Sequence, residues 1–373
     1  MNYKVDIYNE FSPNLRSIWL IIENECDHYV FQSYDWLSHW HQTVGANHLN
    51  MKLCIVVVSD KSNPVALFPF GIRNCLGAKV LELLGGDQSD YNSPLISRDY
   101  SGKLSSVEIW KTVKNYLPAH DIQQFVKLPE YVNQMKNPIF NFWDCTKVDK
   151  AYSAVLPESW EIYYKNIPNK IRSDSRRQLR RLSEIGKVQY IIGNIDKDYN
   201  KYLSVMFHQK SQRYQNTGAR DLFAIEAIRM FYSGLCNTIG TNGCIHFSVL
   251  LVDSDVVATH WGAVYGDRFY FLLPTYSLGH WSRFSPGRLL EEKLIEWSIS
   301  EKLGFFDFTT GGEEYKKNYC NHNMYIFRMI KLVRIYGMVF IIIELLISYI
   351  KRNKISRKYF MKFNKLIFKY LKR

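Results

Sequence analysis

Residues 245–316 restrict the fold of this chain more than any other segment. Three apolar runs rich in β-branched and aromatic residues, 245–252, 256–265 and 268–274, are separated only by Asp253-Ser254-Asp255 and Gly266-Asp267. Gly and Asp tolerate the positive φ of tight hairpins, so the runs read as antiparallel strands. The next segment, SRFSPGRLLEEKLIEWSISEKLG, predicts a helix opened by Ser285 and Pro286 and closed by Gly304, with Leu289, Leu290, Leu294, Ile295 and Trp297 on its buried face. A short strand, FFDFT (305–309), follows, then Gly311-Gly312 and a further helical start at EEYKKNY. This order predicts the α/β (α+β) class: a mixed, largely antiparallel sheet flanked by helices.

The earlier chain carries the same kind of signals. MKLCIVVVSDKSNPVALFPF (51–70) reads as a hairpin, and FQSYDWLSHWHQTV (31–44) as a preceding helix with Ser33 as cap. LELLGGDQSDYNSPLI (81–96) ends a strand in Gly85-Gly86 and continues as a polar loop. A strongly basic helix, IRSDSRRQLRRLSEIG (171–186), opens the second half, ahead of a strand at 188–192, a helix containing MFHQKSQRY and another at 223–235. At 373 residues, 47% of them hydrophobic, the chain exceeds one ordinary domain. The division expected is 1–150, 151–334 and a tail at 335–373.

The formal charge of +13 is unevenly spread: residues 351–373 hold ten Lys or Arg and no Asp or Glu, while the other 350 residues carry 38 basic and 35 acidic side chains. The tail interleaves its charges with Ile355, Tyr359, Phe360, Phe363, Leu366, Ile367, Phe368, Tyr370 and Leu371. That mixture predicts a basic amphipathic helix on anionic lipid rather than on nucleic acid. Residues 335–350 are apolar around Glu344, shorter than the roughly 20 residues a spanning helix needs, and predict a helix on the body or in the membrane interface. Seven scattered cysteines without a C-x-x-C pair, and an opening segment unlike a secretory signal, predict a cytoplasmic, reducing location, with peripheral membrane attachment at the inner face through the tail. No P-loop, dinucleotide fingerprint, nucleophile elbow or metal-spaced histidine set occurs, and no metal is expected.

A helix start supplies unpaired N–H groups and the positive end of the macrodipole, as a pyrophosphate requires. Arg283, Ser285, Pro286, Gly287 and Arg288 form such a start: Gly287 permits close backbone approach, and the arginines add charge-assisted bonds. The same S-P-G is also an ordinary helix entry. The segment SPGRLL…EW…LGFFDFTTGGEEYK (285–316) makes the comparison specific. With the basic helix leading to Gly186, the helix bearing His208 and Arg213-Tyr214 before Gly218, and the hairpin at 258–276, it resembles the CelD-type acetyltransferase family of the GNAT superfamily. That family is related to the Fem-type aminoacyl transferases and is associated with exopolysaccharide or cellulose synthesis. The likeness extends over residues 30–330 through the 36–45 helix and the GGDQSDYNSP loop. It implies tandem GNAT-like lobes, the second holding acetyl-CoA or another acyl-CoA between splayed strands and the SPGR helix. It also implies direct transfer to an amine or hydroxyl.

Direct transfer needs a base but no cysteine nucleophile. Asp307 and Glu313, close after the SPGR helix, and His208, with its near-neutral titration, are the candidates; hydrogen bonding to a loop, a helix-start preference and plain surface packing are their structural alternatives. Tyr315 and Lys316 match the family's Y-K pair, with Lys316 suited to a phosphate or carboxylate. Arg176 and Arg180 in the basic stripe, His260 beside Trp261, and Tyr276 are expected near the acceptor, although one of His260 and Trp261 must point to the other sheet face. These features predict an N- or O-acyltransferase for an amino sugar, amino acid or saccharide of envelope or exopolysaccharide synthesis. The alternatives are a Fem-like enzyme using charged tRNA and a non-catalytic scaffold of a polysaccharide synthase.

Overall fold

Serine caps set the entry of the first two helices. α1 (Pro13–Glu25) and α2 (Tyr34–Trp40) follow β1 (Tyr3–Tyr8), and the Ser12 and Ser33 hydroxyls accept from Leu15 N–H and Trp36 N–H, satisfying donors a first turn leaves open. A computed structural model gives these and all further elements; it describes residues 3–100, 106–141, 144–193, 198–235, 243–312, 314–343 and 346. β2 (Lys52–Asp60) and β3 (Asn63–Cys75) form the expected hairpin. β4 (Ala78–Leu83) ends at Gly85 and Gly86, whose φ of +106° and +51° turn the chain into the polar loop. The first half continues with β5 (Leu95–Ile96), α3 (Ser106–Val113), β6 (Ile122–Pro129), the small ribbon β7 (Tyr131–Val132) and β8 (Met135–Lys136), and β9 (Thr146–Val155).

In the second half α4 (Trp160–Asn166) and the basic α5 (Asn169–Ser183) lead to β10 (Val188–Ile191), α6 (Tyr199–Thr217) and α7 (Glu226–Gly234). Then come β11 (Gly243–Val252), β12 (Asp255–Tyr265), β13 (Arg268–Tyr276), α8 (Pro286–Ser300), β14 (Phe305–Thr310) and β15 (His322–Leu332). The helix α8 stops at Ser300, four residues before Gly304. Lys302, at φ +60°, makes the reversal, whereas a Cβ at Gly304 would stand 2.7 Å from Asp267 Oδ2, so that glycine serves a close chain crossing.

One sheet runs through the molecule in the order β1-β2-β3-β4-β6-β15-β9-β14-β13-β12-β11-β10, with β5 beside β3. Its two halves repeat one design. Antiparallel strands lead to a single parallel pair, β4 with β6 over residues 80–82 and 122–124, and β13 with β14 over 268–270 and 305–307. The chain passes through α3 in the first case and α8 in the second. The last strands are exchanged. β9, which follows β6 in sequence, pairs with β14, while β15, which follows β14, pairs with β6; β9 and β15 pair with each other at the centre. Residue 150, the expected division, falls inside β9.

Helices of both halves share one core with the sheet, where Trp36 and Trp40 of α2, Phe231 of α7, Trp261 of β12 and Tyr270 of β13 are all buried. Each such ring contributes about 1.5–3 kcal/mol by leaving water. α8 covers the opposite face of the second half with Leu289, Leu290, Leu294 and Ile295, as its spacing predicts. Beyond β15, Phe340 is buried against Ile122 and Val80, while Ile335, Tyr336 and Val339 are exposed. The basic segment 351–373 lies outside the described residues, and among those described no helix is long and apolar enough to cross a membrane.

Candidate functional site

β13 and β14 pair for only three residues and then part, and the cause is local. The β14–β9 register shifts between Asp307 and Thr309, and Thr309 takes φ +55°, an uncommon and strained state for a β-branched residue. Asp307 holds this bulge: its Oδ1 accepts from Thr309 N–H at 2.8 Å and from the Tyr91 hydroxyl at 2.7 Å, and its Oδ2 accepts from Arg268 Nη1 at 2.9 Å. Bulges bend the strand that carries them, here turning β14 away from β13 just past their last shared pair. The space so opened is a cleft of about 700 Å³. Phe271, Leu272, Pro274 and Tyr276 form one wall, Phe308, Thr309 and Thr310 the other.

The start of α8 closes one end. Ser285 is left-handed at φ +51° and ψ +47°, which directs the first turn into the cleft, and Ser285, Gly287, Arg288 and Glu291 line it. A Cβ on Gly287 would lie 3.1 Å from the Tyr276 ring. Arg288 forms an ion pair with Asp174 of α5, which holds that carboxyl below its ordinary range with help from Arg177. On the opposite side α6 presents Lys210, Arg213, Tyr214 and Thr217, spaced i, i+3, i+4 and i+7, so they share one helix face. Tyr315, Lys316 and Tyr319 complete the rim; Lys316 Nζ donates to the Thr310 carbonyl at 2.9 Å. One residue of the first half takes part. Asp90 reaches in from the Gly-Gly loop, its Oδ1 accepting from the Thr310 hydroxyl at 3.0 Å and from Lys127 Nζ at 3.3 Å.

Several sequence expectations meet here: Ser285, Gly287, Arg288, Tyr276, Tyr315 and Lys316 all line the cleft. Others do not. Asp307 is completely buried, engaged by three donors and absent from the lining; burial pushes its carboxyl up against the opposing pull of Arg268. It shapes the cleft from behind and is not placed to take a proton from an acceptor. His208 is exposed, 200° around α6 from Lys210, and pairs with Gln212. Glu313 lies outside the described residues. Arg283 is exposed with its guanidinium over Phe284, and Pro286 is buried away from the lining. Arg176 and Arg180 face solvent, opposite the buried Ser175, Gln178 and Leu182 of α5, and Arg180 forms an ion pair with Glu184. His260 is buried under α8, stacked on Phe271 at 4.4 Å, while Trp261 points to the other face and donates to the Tyr199 hydroxyl.

The residue most clearly missed is Glu291. It is 5% exposed, lines the cleft, and its Oε1 has no hydrogen-bond partner among the described residues. Burial pushes its carboxyl well above the ordinary range, Glu292 adds to this, and Lys316 and Arg288 oppose it. A neutral carboxyl group in that place can donate a hydrogen bond into the cleft. Its signal in the sequence is slight: an acid four residues after Gly287, beside Glu292, in a helix whose buried residues also include Leu290, Leu294 and Ile295. Lys210 and Thr217 were readable from the helical spacing around Arg213-Tyr214. Among the described residues, no group of three His, Cys, Asp or Glu is placed to hold a metal ion.

A parallel strand pair connected through a helix occurs in both halves, and in the second half it splays beside a helix start: this is the fold of the GNAT superfamily. Residues 169–317 match the family model for the acetyltransferase (GNAT) domain, so the second lobe is a GNAT acyltransferase domain. About nine tenths of the chain shares the fold of several solved structures. FemX covers 89% of this chain and 98% of its own at 10% identity, with a TM-score of 0.61. L-PGS from Bacillus licheniformis covers 91% and 98% at 12% identity, with a TM-score of 0.54. A conserved protein of unknown function from Bacteroides thetaiotaomicron covers 88% and 100% at 11% identity, with a TM-score of 0.55. No curated protein sequence matches the chain.

Proposed function

We propose that the chain takes an acyl group from acyl-CoA, with acetyl-CoA as the smallest donor, and passes it directly to an amine or hydroxyl of an amino sugar, amino acid or saccharide. The observation that carries this reading is the opening between β13 and β14 beside the α8 start, which together bound the cleft of about 700 Å³. The first turn of α8 favours a pyrophosphate, and the unpaired edge of β13 suits the extended, amide-bearing arm of a CoA thioester. Lys210 and Arg213 add positive charge on the facing wall. Glu291, whose carboxyl burial pushes up, is suited to hydrogen-bond the donor.

Isothermal titration with acetyl-CoA and longer acyl-CoAs tests the donor. Micromolar binding is expected, and Gly287→Glu should weaken it at least 100-fold with the thermal midpoint unchanged, because the new carboxylate fills the phosphate position. Unaltered binding by that variant overturns the placement, and no binding of any acyl-CoA overturns the donor class. The extent of the likeness to FemX and L-PGS, nearly whole chain against whole chain, favours a second reading as a Fem-like transferase using charged tRNA. Aminoacyl-tRNA binding without acyl-CoA binding would select it. The family resemblance further supports work in envelope or exopolysaccharide synthesis, and the basic tail supports attachment to an anionic inner membrane face.

A further inference from the structure

One end of the first-lobe sheet gathers apolar side chains that the core does not take. The starts of β4 and β6 and the segment after β15 meet there at Asp121: Lys79 N–H donates to Asp121 Oδ2 at 2.8 Å, and the Val333 and Arg334 N–H groups donate to the Asp121 carbonyl at 2.8 and 3.1 Å. Gly337 then lies against Ile122, where a Cβ would stand 2.7 Å from Ile122 Cδ1. Around this junction Leu76, Tyr116, Ile335, Tyr336, Val339 and Ile342 are each at least 51% exposed. Ile335, Val339 and Ile342 are spaced i, i+4 and i+7 on one face of the helical turns after Arg334, while Phe340 on the other side is buried against Val80. Leu76 is the clearest signal. It shares the two-residue turn between β3 and β4 with Gly77, and both take positive φ, +53° and +82°. Such turns favour Asn, Asp or Gly, so a leucine at the tip, turned to solvent, costs conformational strain with no gain in the core.

We propose that this end of the sheet is the surface by which the folded body seats on an anionic lipid layer. Within residues 74–79, 114–122 and 331–343, which form it, the one acid is Asp121, buried and bonded as above, while Lys79, Lys114, Lys331 and Arg334 are exposed. Apolar side chains accompanied by cations match a membrane interface, where the former enter the acyl boundary and the latter meet lipid phosphates. A second copy fits less well, because a two-fold contact would set these cations against their own counterparts. The chain continues from this end into residues 351–373, with ten Lys or Arg and no acid. The inference rests on the membrane attachment proposed above and adds the body's own contact to it. The tail supplies charge, which salt screens; Leu76 and the 335–342 face supply apolar area, which salt does not screen.

Flotation of the full chain with vesicles tests this, using phosphatidylcholine alone and phosphatidylcholine with about one third phosphatidylglycerol. The anionic vesicles should bind the chain at least about ten-fold more tightly than the neutral ones. Leu76→Asp and Tyr336→Asp should each weaken that binding about ten-fold, the scale of withdrawing one large apolar side chain from the interface. The thermal midpoint should not fall, since both side chains are exposed and Asp adopts the positive φ of position 76 more readily than Leu. Replacement of Lys354, Lys358, Lys362 and Lys365 by Gln measures the tail separately. Binding that ignores both surface substitutions overturns the inference and leaves the tail reading standing. Loss on the surface substitutions with indifference to those in the tail overturns the tail reading alone, and absence of binding overturns both. Equal binding to neutral vesicles, or a lipid-free dimer in sedimentation that Leu76→Asp dissociates, also overturns the inference, the first by removing anionic lipid as the partner and the second by giving the face to another copy of the chain.

Discussion

Asp307 and His260 look alike in the sequence, polar residues inside apolar strands beside the expected donor site, and the fold gives both of them structural work. Asp307 joins Arg268, Tyr91 and the Thr309 amide. Removing one partner of a buried ion pair strands the other, so Asp307→Ala should lower the unfolding free energy by about 3–5 kcal/mol, measured by urea titration; a loss below 1 kcal/mol would refute this role. His260 is neutral because burial holds its pKa well below the ordinary value. Below about pH 6.5 the unfolded chain therefore binds a proton that the folded chain refuses, and stability falls with pH by up to about 1.4 kcal/mol per unit. His260→Phe should remove that contribution between pH 6.5 and 4.5 while acyl-CoA affinity stays unchanged. An unaltered slope would place the ring in water. His246, pushed down to about 3 and coupled to His260, adds a slope of its own, so the variant should lower the total slope without abolishing it.

At the scale of elements, much was legible in advance because local chemistry specified it. The Ser33 cap, the hairpins, the Gly-Gly turn and the Pro286 helix start all stand where their residues direct. The half of the candidate site borne on the α8 start was legible for the same reason, since Ser285, Gly287 and Arg288 are consecutive. What escaped depends on partners far apart in the chain. Burial of Asp307 follows from Arg268 and Tyr91, one of them more than 200 residues away, and Glu291 shares its cleft with Lys316 and Tyr319, which lie roughly 25 residues further along the chain. The cationic stripe of α5 was visible as periodicity, but periodicity does not say which face meets the body; Ser175 and Leu182 decide that, and they turn Arg176 and Arg180 outward.

For the whole molecule, the exchange of β9 and β15 makes each lobe depend on the other's last strand. Residues 1–141 expressed alone should therefore aggregate, because β6 keeps an open edge, and co-expression with residues 144–334 should restore soluble material that acts as one species in gel filtration. Soluble, cooperatively folded 1–141 alone would show that the exchange is dispensable. The arrangement also sets a timetable for synthesis. The seat beside β6 is filled by residues 322–332, made roughly two hundred residues after β6 itself. At about 5–20 residues per second, the first lobe waits about 10–40 s on the ribosome before its sheet can close. During that interval the nascent chain offers a bare strand to anything nearby, which makes this protein a natural client for chaperones that act during translation.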